Sequence, residues 1–119
     1  METVELTIKR LNHTTVPIII RFHKGIVRQL IFCLVRIGKL QTIEQWEKSI
    51  AVRKTSDFKV QLTKNPKSIN IKTLKLKPEE RELIVNTSHG MFTSEECLQR
   101  GIGGKVIAKI IERHQSASN

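Results

Sequence analysis

The stretch Gly25-Ile-Val-Arg-Gln-Leu-Ile-Phe-Cys-Leu-Val-Arg-Ile-Gly38 decides the fold class, because it contains the longest apolar run in the sequence. On a helix its polar side chains form one narrow stripe, and the rest of the surface is apolar. The stretch predicts a long helix over Ile26–Lys39 that is covered on more than one side. That helix is either the core helix of the fold or half of a homodimer interface through Ile26–Ile37. A strand over Gln29–Arg36 is an alternative to the helix, because a continuous apolar run has no periodicity that distinguishes a helix from a strand.

Two strands are predicted on the N-terminal side of this helix. Apolar and polar residues alternate from Val4 to Lys9, as they do in a strand with one buried face. A turn at residues 12–15 separates this run from Val16–Phe22, where Pro17 favours an edge position or a strand end. The two runs together predict a hairpin.

The region after the helix predicts mostly strands. Thr42–Lys48 is an exception, because its first residues fit a capped helical turn. Ser49–Lys54 and Phe58–Lys64 predict a second hairpin, and alternation resumes in a strand over Ile69–Lys77. Glu82–Thr87 predicts one more strand.

Two short helices are predicted at the C-terminal end. Thr93 or Ser94 caps the first helix, and two glutamates in its first turn complement the helix dipole. The second helix runs from about Gly103 to His114. The expected fold class is therefore α+β, an antiparallel sheet of five or six strands with one long apolar helix and two short C-terminal helices. We expect a single domain over residues 1–114 and a frayed tail over 115–119.

The positive charge of the chain is concentrated in its middle. The sequence has 21 Lys and Arg against 11 Asp and Glu, a formal net charge of +10. Residues 53–77 hold eight basic side chains against the single acid Asp57, whereas residues 78–119 hold five against six. A cluster of this kind is typical of proteins that bind nucleic acid or an acidic membrane surface.

Lysine outnumbers arginine seven to one in this central block. Lysine is a compact point charge without a bidentate fork, so it suits phosphate neutralisation better than the reading of base edges. We therefore expect salt-sensitive binding that tolerates different base sequences. The expected phosphate contacts in this block are Lys59, Lys64, Lys67, Lys72, Lys75 and Lys77.

A glycine-rich turn supplies the clearest local motif. The segment Gly101-Ile-Gly-Gly-Lys105, with apolar residues after it, resembles the helix-hairpin-helix motif. That resemblance implies backbone N–H groups at Gly101 and Gly103 that approach a phosphate, with Lys105 and Lys109 adding charge on the same rim. A helix-turn-helix fits less well. A structural interpretation, in which the glycines only end a helix and form a turn, stays open.

No residues suggest catalysis, a metal ion or a cofactor. The four histidines lack metal-ligand spacing, and the two cysteines, Cys33 and Cys97, are far apart and are expected to be reduced thiols. Only one Asp is present, although metal-dependent nuclease chemistry needs clustered carboxylates. We expect a protein that is not an enzyme and has no cofactor.

The sequence therefore favours a non-enzymatic, basic nucleic-acid-binding protein, for DNA or RNA. The alternative is a structural or matrix-like adaptor whose lysine face meets an anionic membrane or an acidic protein partner. Because no signal peptide or transmembrane segment is recognisable, we expect an intracellular location: cytoplasm, nucleus or virion interior.

Overall fold

The computed structural model describes residues 4–14, 16–22, 25–63, 68–69 and 82–112. In these ranges the chain forms two antiparallel sheets and three helices, which confirms the α+β class. The elements in chain order are α1 (Val4–His13), β1 (Ile18–Arg21), α2 (Gly25–Arg36), β2 (Leu40–Gln45), β3 (Ser49–Lys54), β4 (Phe58–Leu62), β5 (Ser68–Ile69), β6 (Leu83–Thr87), β7 (Gly90–Thr93), α3 (Ser94–Arg100) and β8 (Gly104–Glu112).

The chain divides into two units. Unit 1 comprises the residues up to Lys59 together with the C-terminal segment from Glu112, and unit 2 comprises Val60–Ile111. Both are basic by sequence, with twelve Lys and Arg against six acids in unit 1 and nine against five in unit 2. The expectation of a single domain over residues 1–114 stays a prediction, and the tail 115–119 lies outside the described residues.

Unit 1 is a three-stranded sheet, in the order β1-β3-β2, with α1 and α2 as its helices. Ile18 and Ile20 of β1 pair with Val52 and Ile50 of β3. Ile20, Ile50 and Val52 are buried together with apolar side chains of both helices, including Leu11 and Leu30. Burial of such aliphatic side chains is worth about 1.5–3 kcal/mol each, so this layer is what stabilises the unit.

The long apolar helix is confirmed as α2. Its buried side chains are Val27, Leu30, Ile31, Cys33 and Leu34, and Arg28, Gln29 and Arg36 are exposed. The Arg28 guanidinium lies 5.7 and 5.3 Å from the centroids of the Phe22 and Phe32 rings, which places its charge over their faces. The apolar surface of α2 is therefore buried within one copy of the chain, as in the core-helix alternative. The homodimer through Ile26–Ile37 stays a prediction.

The predicted first strand is wrong, because Val4–His13 is helix α1. Its buried residues Thr7, Ile8 and Leu11 have helical spacing, while Leu6 is 46% exposed. The six residues Val4–Lys9 are too few to separate the two-residue period of a strand from the 3.6-residue period of a helix. Leu11, whose burial supports the helix, lies beyond these six residues. No N-terminal hairpin forms, and β1 pairs with β3 instead.

Two predictions around the middle of unit 1 also fail. The segment taken as a helical turn, Thr42–Lys48, contains most of the edge strand β2. β3 and β4 are strands as predicted, but they do not form a hairpin, since β3 pairs with β1 and β2 and β4 pairs with β8. The loop between them turns toward the end of α2, where the Thr55 N–H donates to Lys39 O at 3.0 Å.

Unit 2 is built on the sheet order β4-β8-β6-β7, with the short β5 also paired to β8. Helix α3 packs on one face of this sheet, where the buried residues Val85, Cys97 and Val106 form a cluster. The helix begins as predicted, because the Thr93 side chain accepts the Glu96 N–H at 3.1 Å and the Glu96 side chain accepts the Thr93 N–H at 2.9 Å.

The second predicted C-terminal helix is wrong, because Gly104–Glu112 is strand β8. Val106, Ala108 and Ile110 are buried in alternation with the exposed residues Lys105 and Lys109. The β-branched residues in this segment also favour a strand. Of the predicted strand Ile69–Lys77, the structure describes only its first residue, in β5; the rest lies outside the described residues.

Candidate nucleic-acid interface

The structure describes one of the six central lysines. Lys59 lies on β4 in unit 1 and is half-buried, beside a cleft that is treated below. The other predicted contacts of the central block lie outside the described residues: Lys64, Lys67, Lys72, Lys75 and Lys77. Their part in a common basic surface therefore stays a prediction.

Gly101 ends helix α3. Its φ of +69° lies in the left-handed region, which glycine adopts without steric cost. Its N–H donates to Leu98 O at 3.4 Å, and the next N–H, of Ile102, donates to Cys97 O at 3.0 Å. These two bonds form a Schellman cap, which satisfies the last carbonyls of the helix. Both N–H groups bind the helix end, so the predicted phosphate contact through the Gly101 backbone has no geometric support.

The resemblance to a helix-hairpin-helix does not extend to the structure, since a strand follows the glycine turn. Gly104 is required by close packing of that strand on β6. A Cβ atom at Gly104 would lie 3.0 Å from Val85 Cγ1 and closer still to the carbonyl oxygen of Asn86. The glycine therefore lets the backbone of β8 approach β6, where Lys105 pairs with Asn86.

Lys105 and Lys109 lie on opposite faces of the sheet. Lys105 pairs with Asn86 and Lys109 with Leu83, and directly paired residues share a face. Leu83 and Asn86 are three residues apart on one strand, so they point to opposite faces. The reason is a register shift opposite Ile84 and Val85, which adds one residue to β8. The common rim expected for the two lysines does not form.

The β6–β7 turn lies next to Asn86 in the chain. The Ser88 hydroxyl and the His89 ring Nδ1 are 3.2 Å apart, and the His89 N–H donates to Thr87 Oγ1 at 3.0 Å. These local bonds fix a turn whose Ser88 and His89 side chains are exposed. Asn86, Gly103 and Lys105 are exposed as well. We call these five residues the Lys105 surface: Asn86, Ser88, His89, Gly103 and Lys105.

The two chain segments that form the Lys105 surface carry no negative side chain of their own. None of residues 86–91 and 100–105 is Asp or Glu. Arg100, the last residue of α3, is exposed, and its guanidinium lies 4.6 Å from the centroid of the Phe92 ring on the α3 face. Lys109 differs, because its paired residue Leu83 follows Glu82 directly. The sheet end at Lys105 is therefore the more favourable position for an anion.

Sequence reasoning missed Asn86, Ser88, His89 and Arg100 as members of this region. Only the pairing of β6 with β8 shows that the chain at Asn86 lies beside Lys105. No local signal links residues 86 and 105, since the contact crosses many residues of chain.

The described residues offer no metal centre, because they contain no group of three His, Cys, Asp or Glu side chains close enough to share an ion. Cys97 is buried in the unit 2 cluster, and burial, reinforced by the charge of Glu96, raises the pKa of its thiol. A raised thiol pKa disfavours the nucleophilic thiolate. Among the helices in the described ranges, none has the length and apolarity that a bilayer crossing requires.

Neither a protein-family model nor a curated protein matches the chain. The choice of a candidate site therefore depends on the charge and geometry of the residues themselves. In the described part of unit 2, the strand register pairs the exposed cation Lys105 with the exposed Asn86, and the exposed residues Ser88, His89 and Gly103 follow or precede these two closely in the chain.

Proposed function

We propose that this protein is a non-enzymatic nucleic-acid-binding protein that contacts phosphate groups through the Lys105 surface. The observation that carries the proposal is the exposed Lys105, which pairs with Asn86 in the strand register, in two chain segments, 86–91 and 100–105, that contain no Asp or Glu. The excess of basic over acidic residues in both units supports it, because a net positive charge attracts a polyanion over long distances.

The chemistry of the Lys105 surface suits a phosphate backbone. The lysine ammonium has three donors, and the Asn86 amide, the Ser88 hydroxyl and the His89 ring add further hydrogen-bonding groups. Phosphate contacts of this kind position a nucleic acid without reading its sequence. Gly103, two residues before Lys105, is exposed and has no side chain.

A salt titration with two lysine variants tests the proposal. Binding of labelled DNA and RNA of the same sequence would be measured by fluorescence anisotropy from low to physiological salt. Lys105→Gln is expected to weaken binding about fivefold and to lower the slope of log affinity against log salt by about 0.9, as for one lost phosphate contact. Lys109→Gln is the matched control, because it changes the same residue type on the same strand but on the opposite face.

Binding that does not depend on salt would contradict the proposal, as would equal losses in the two variants. Vesicles of anionic and neutral lipid, tested in parallel, separate nucleic-acid binding from the adaptor function that the sequence left as the alternative. Retention on anionic vesicles without any nucleic-acid binding would favour that adaptor.

A further inference from the structure

A cleft in unit 1 lies where the last turn of α1 meets the loop between β3 and β4. Its volume is about 570 Å³, within the range of small-ligand sites. The described residues that line it are all of polar or charged types: Asn12, His13, Thr14, Lys54, Thr55, Ser56, Asp57 and Lys59. These eight residues belong to unit 1, and none of them is a member of the Lys105 surface.

The walls of the cleft are held by hydrogen bonds within the protein. Thr14 Oγ1 accepts the Val16 N–H at 3.2 Å and donates to Val16 O at 3.0 Å, which fixes the chain just after α1. On the other side, Thr55 Oγ1 donates to Gly38 O at 2.6 Å. A site with walls fixed in advance loses little conformational entropy when a ligand binds.

The cations of the cleft are ordered as well. The Lys54 ammonium donates to Phe58 O at 2.7 Å and lies 4.9 Å from the centroid of the Phe58 ring, which is fully buried. Lys59 follows Phe58 at the start of β4 and is half-buried. His13 adds a ring that can donate an N–H, and it stands in the last turn of α1.

The acids near the cleft are fewer than the cations. Asp57 is the one carboxylate among the described residues that line the cleft. Glu112 approaches from outside, where it accepts the Ser56 hydroxyl at 3.3 Å and forms an ion pair with Lys39. The carbonyl end of α1 disfavours an anion close to His13. A bound anion would therefore lie on the side of Lys54 and Lys59.

We propose that this cleft binds a phosphate group, with Lys54 and Lys59 as its counter-charges. A phosphate suits the described lining better than a divalent cation does, because hard cations prefer several carboxylate or carbonyl oxygens and the described lining residues have one carboxylate and two ammonium groups. The phosphate is either that of a small free molecule or one in a nucleic-acid backbone. The proposal does not depend on the proposed function, which concerns unit 2.

Calorimetric titration of the full chain with inorganic pyrophosphate tests this site. Lys59→Gln is expected to weaken pyrophosphate binding about fivefold, because one opposite charge is lost. Asp57→Asn is expected to strengthen it about threefold, because a repelling charge is lost. A gain of affinity in Asp57→Asn is not an effect that damage to the fold would produce. Lys48→Gln is the control, since it removes an exposed charge outside the cleft.

A second arm repeats the titration with an oligonucleotide that has no terminal phosphate. Loss of its binding in Lys59→Gln identifies the backbone phosphate as a ligand, whereas a loss confined to pyrophosphate identifies a small free phosphate compound. The proposal is overturned if pyrophosphate does not bind, or if Lys59→Gln and Asp57→Asn leave its affinity unchanged. The Lys105→Gln variant decides the proposed function separately, because Lys105 does not line the cleft.

Discussion

Helix α2 of unit 1 and helix α3 of unit 2 end in the same way. Gly38 and Gly101 follow the two helices with positive φ angles of 83° and 69°. After α2 the Gly38 N–H donates to Val35 O at 3.1 Å and the Lys39 N–H to Leu34 O at 2.9 Å. The corresponding two bonds close α3, so both helices end in a Schellman cap, and a strand follows each of them.

The two turns differ in what surrounds the cap. After Gly38 comes Lys39, which forms an ion pair with Glu112. After Gly101 comes Ile102, which packs on the apolar cluster around Cys97. A carboxylate is therefore close to the first turn, whereas residues 100–105 contain none. Because the same cap occurs twice, a glycine turn is not by itself a sign of nucleic-acid binding in this chain. The charge of the side chains around each turn is what distinguishes the two turns as positions for an anion.

The largest expected effect is a loss of stability on substitution of Gly104. This glycine stands three residues after Gly101, and no glycine stands at the same distance after Gly38. Gly104→Ala places a methyl group against the backbone of Asn86, so we expect it to lower the free energy of unfolding by about 3 kcal/mol. Urea denaturation measures this loss. Gly25→Ala is the control, because a Cβ there meets no atom within 4 Å. A loss below about 1 kcal/mol for Gly104→Ala would show that β8 can shift away from β6.

A smaller effect is expected at the two caps themselves. Gly38→Ala and Gly101→Ala each force a Cβ into the left-handed region, and each should cost about 1 kcal/mol of stability in thermal or urea unfolding. Nucleic-acid affinity should stay within about twofold of the wild type in both variants, because the Gly101 N–H binds Leu98 O. If Gly101→Ala binds nucleic acid more weakly while it stays folded, and Gly38→Ala does not, the two turns are not equivalent. The turn at Gly101 would then contact the nucleic acid directly.

The sequence predicted the features that are decided locally. The cap at Thr93, the glycine that ends α3 and the apolar helix α2 follow from adjacent residues, and all three are present. The failures, α1 and β8, are short segments whose apolar spacing suits more than one period, so packing against the rest of the unit decides between helix and strand.

The candidate site was harder to predict than the fold. Gly103 and Lys105 were identified from the glycine-rich motif, and both lie on the Lys105 surface. Asn86 joins them through strand pairing, and the separation of Lys105 from Lys109 depends on one additional residue in β8. Neither the pairing nor the register shift leaves a local pattern in the sequence, which is why the two lysines were expected together.

The smallest expected effect is a pH dependence of the free energy of unfolding, which arises at the cap of α3 and not at the cap of α2. Cys97 O accepts the cap bond in α3, where Leu34 O does so in α2, and only the cysteine side chain titrates. Burial raises the pKa of the Cys97 thiol, with a further increase from Glu96 that Arg100 opposes. The folded protein therefore holds its thiol proton to higher pH than the unfolded chain does.

As the pH rises above about 8.5, the ordinary pKa of a cysteine thiol, the unfolded chain loses this proton first and is stabilised. The free energy of unfolding should then fall with pH, whereas below that value Cys97 contributes no slope. Urea unfolding of the wild type and of Cys97→Ala at a series of pH values isolates this contribution as the difference between the two curves. A difference that stays constant from pH 7 to about 10 would show that the thiol has no raised pKa in the folded protein.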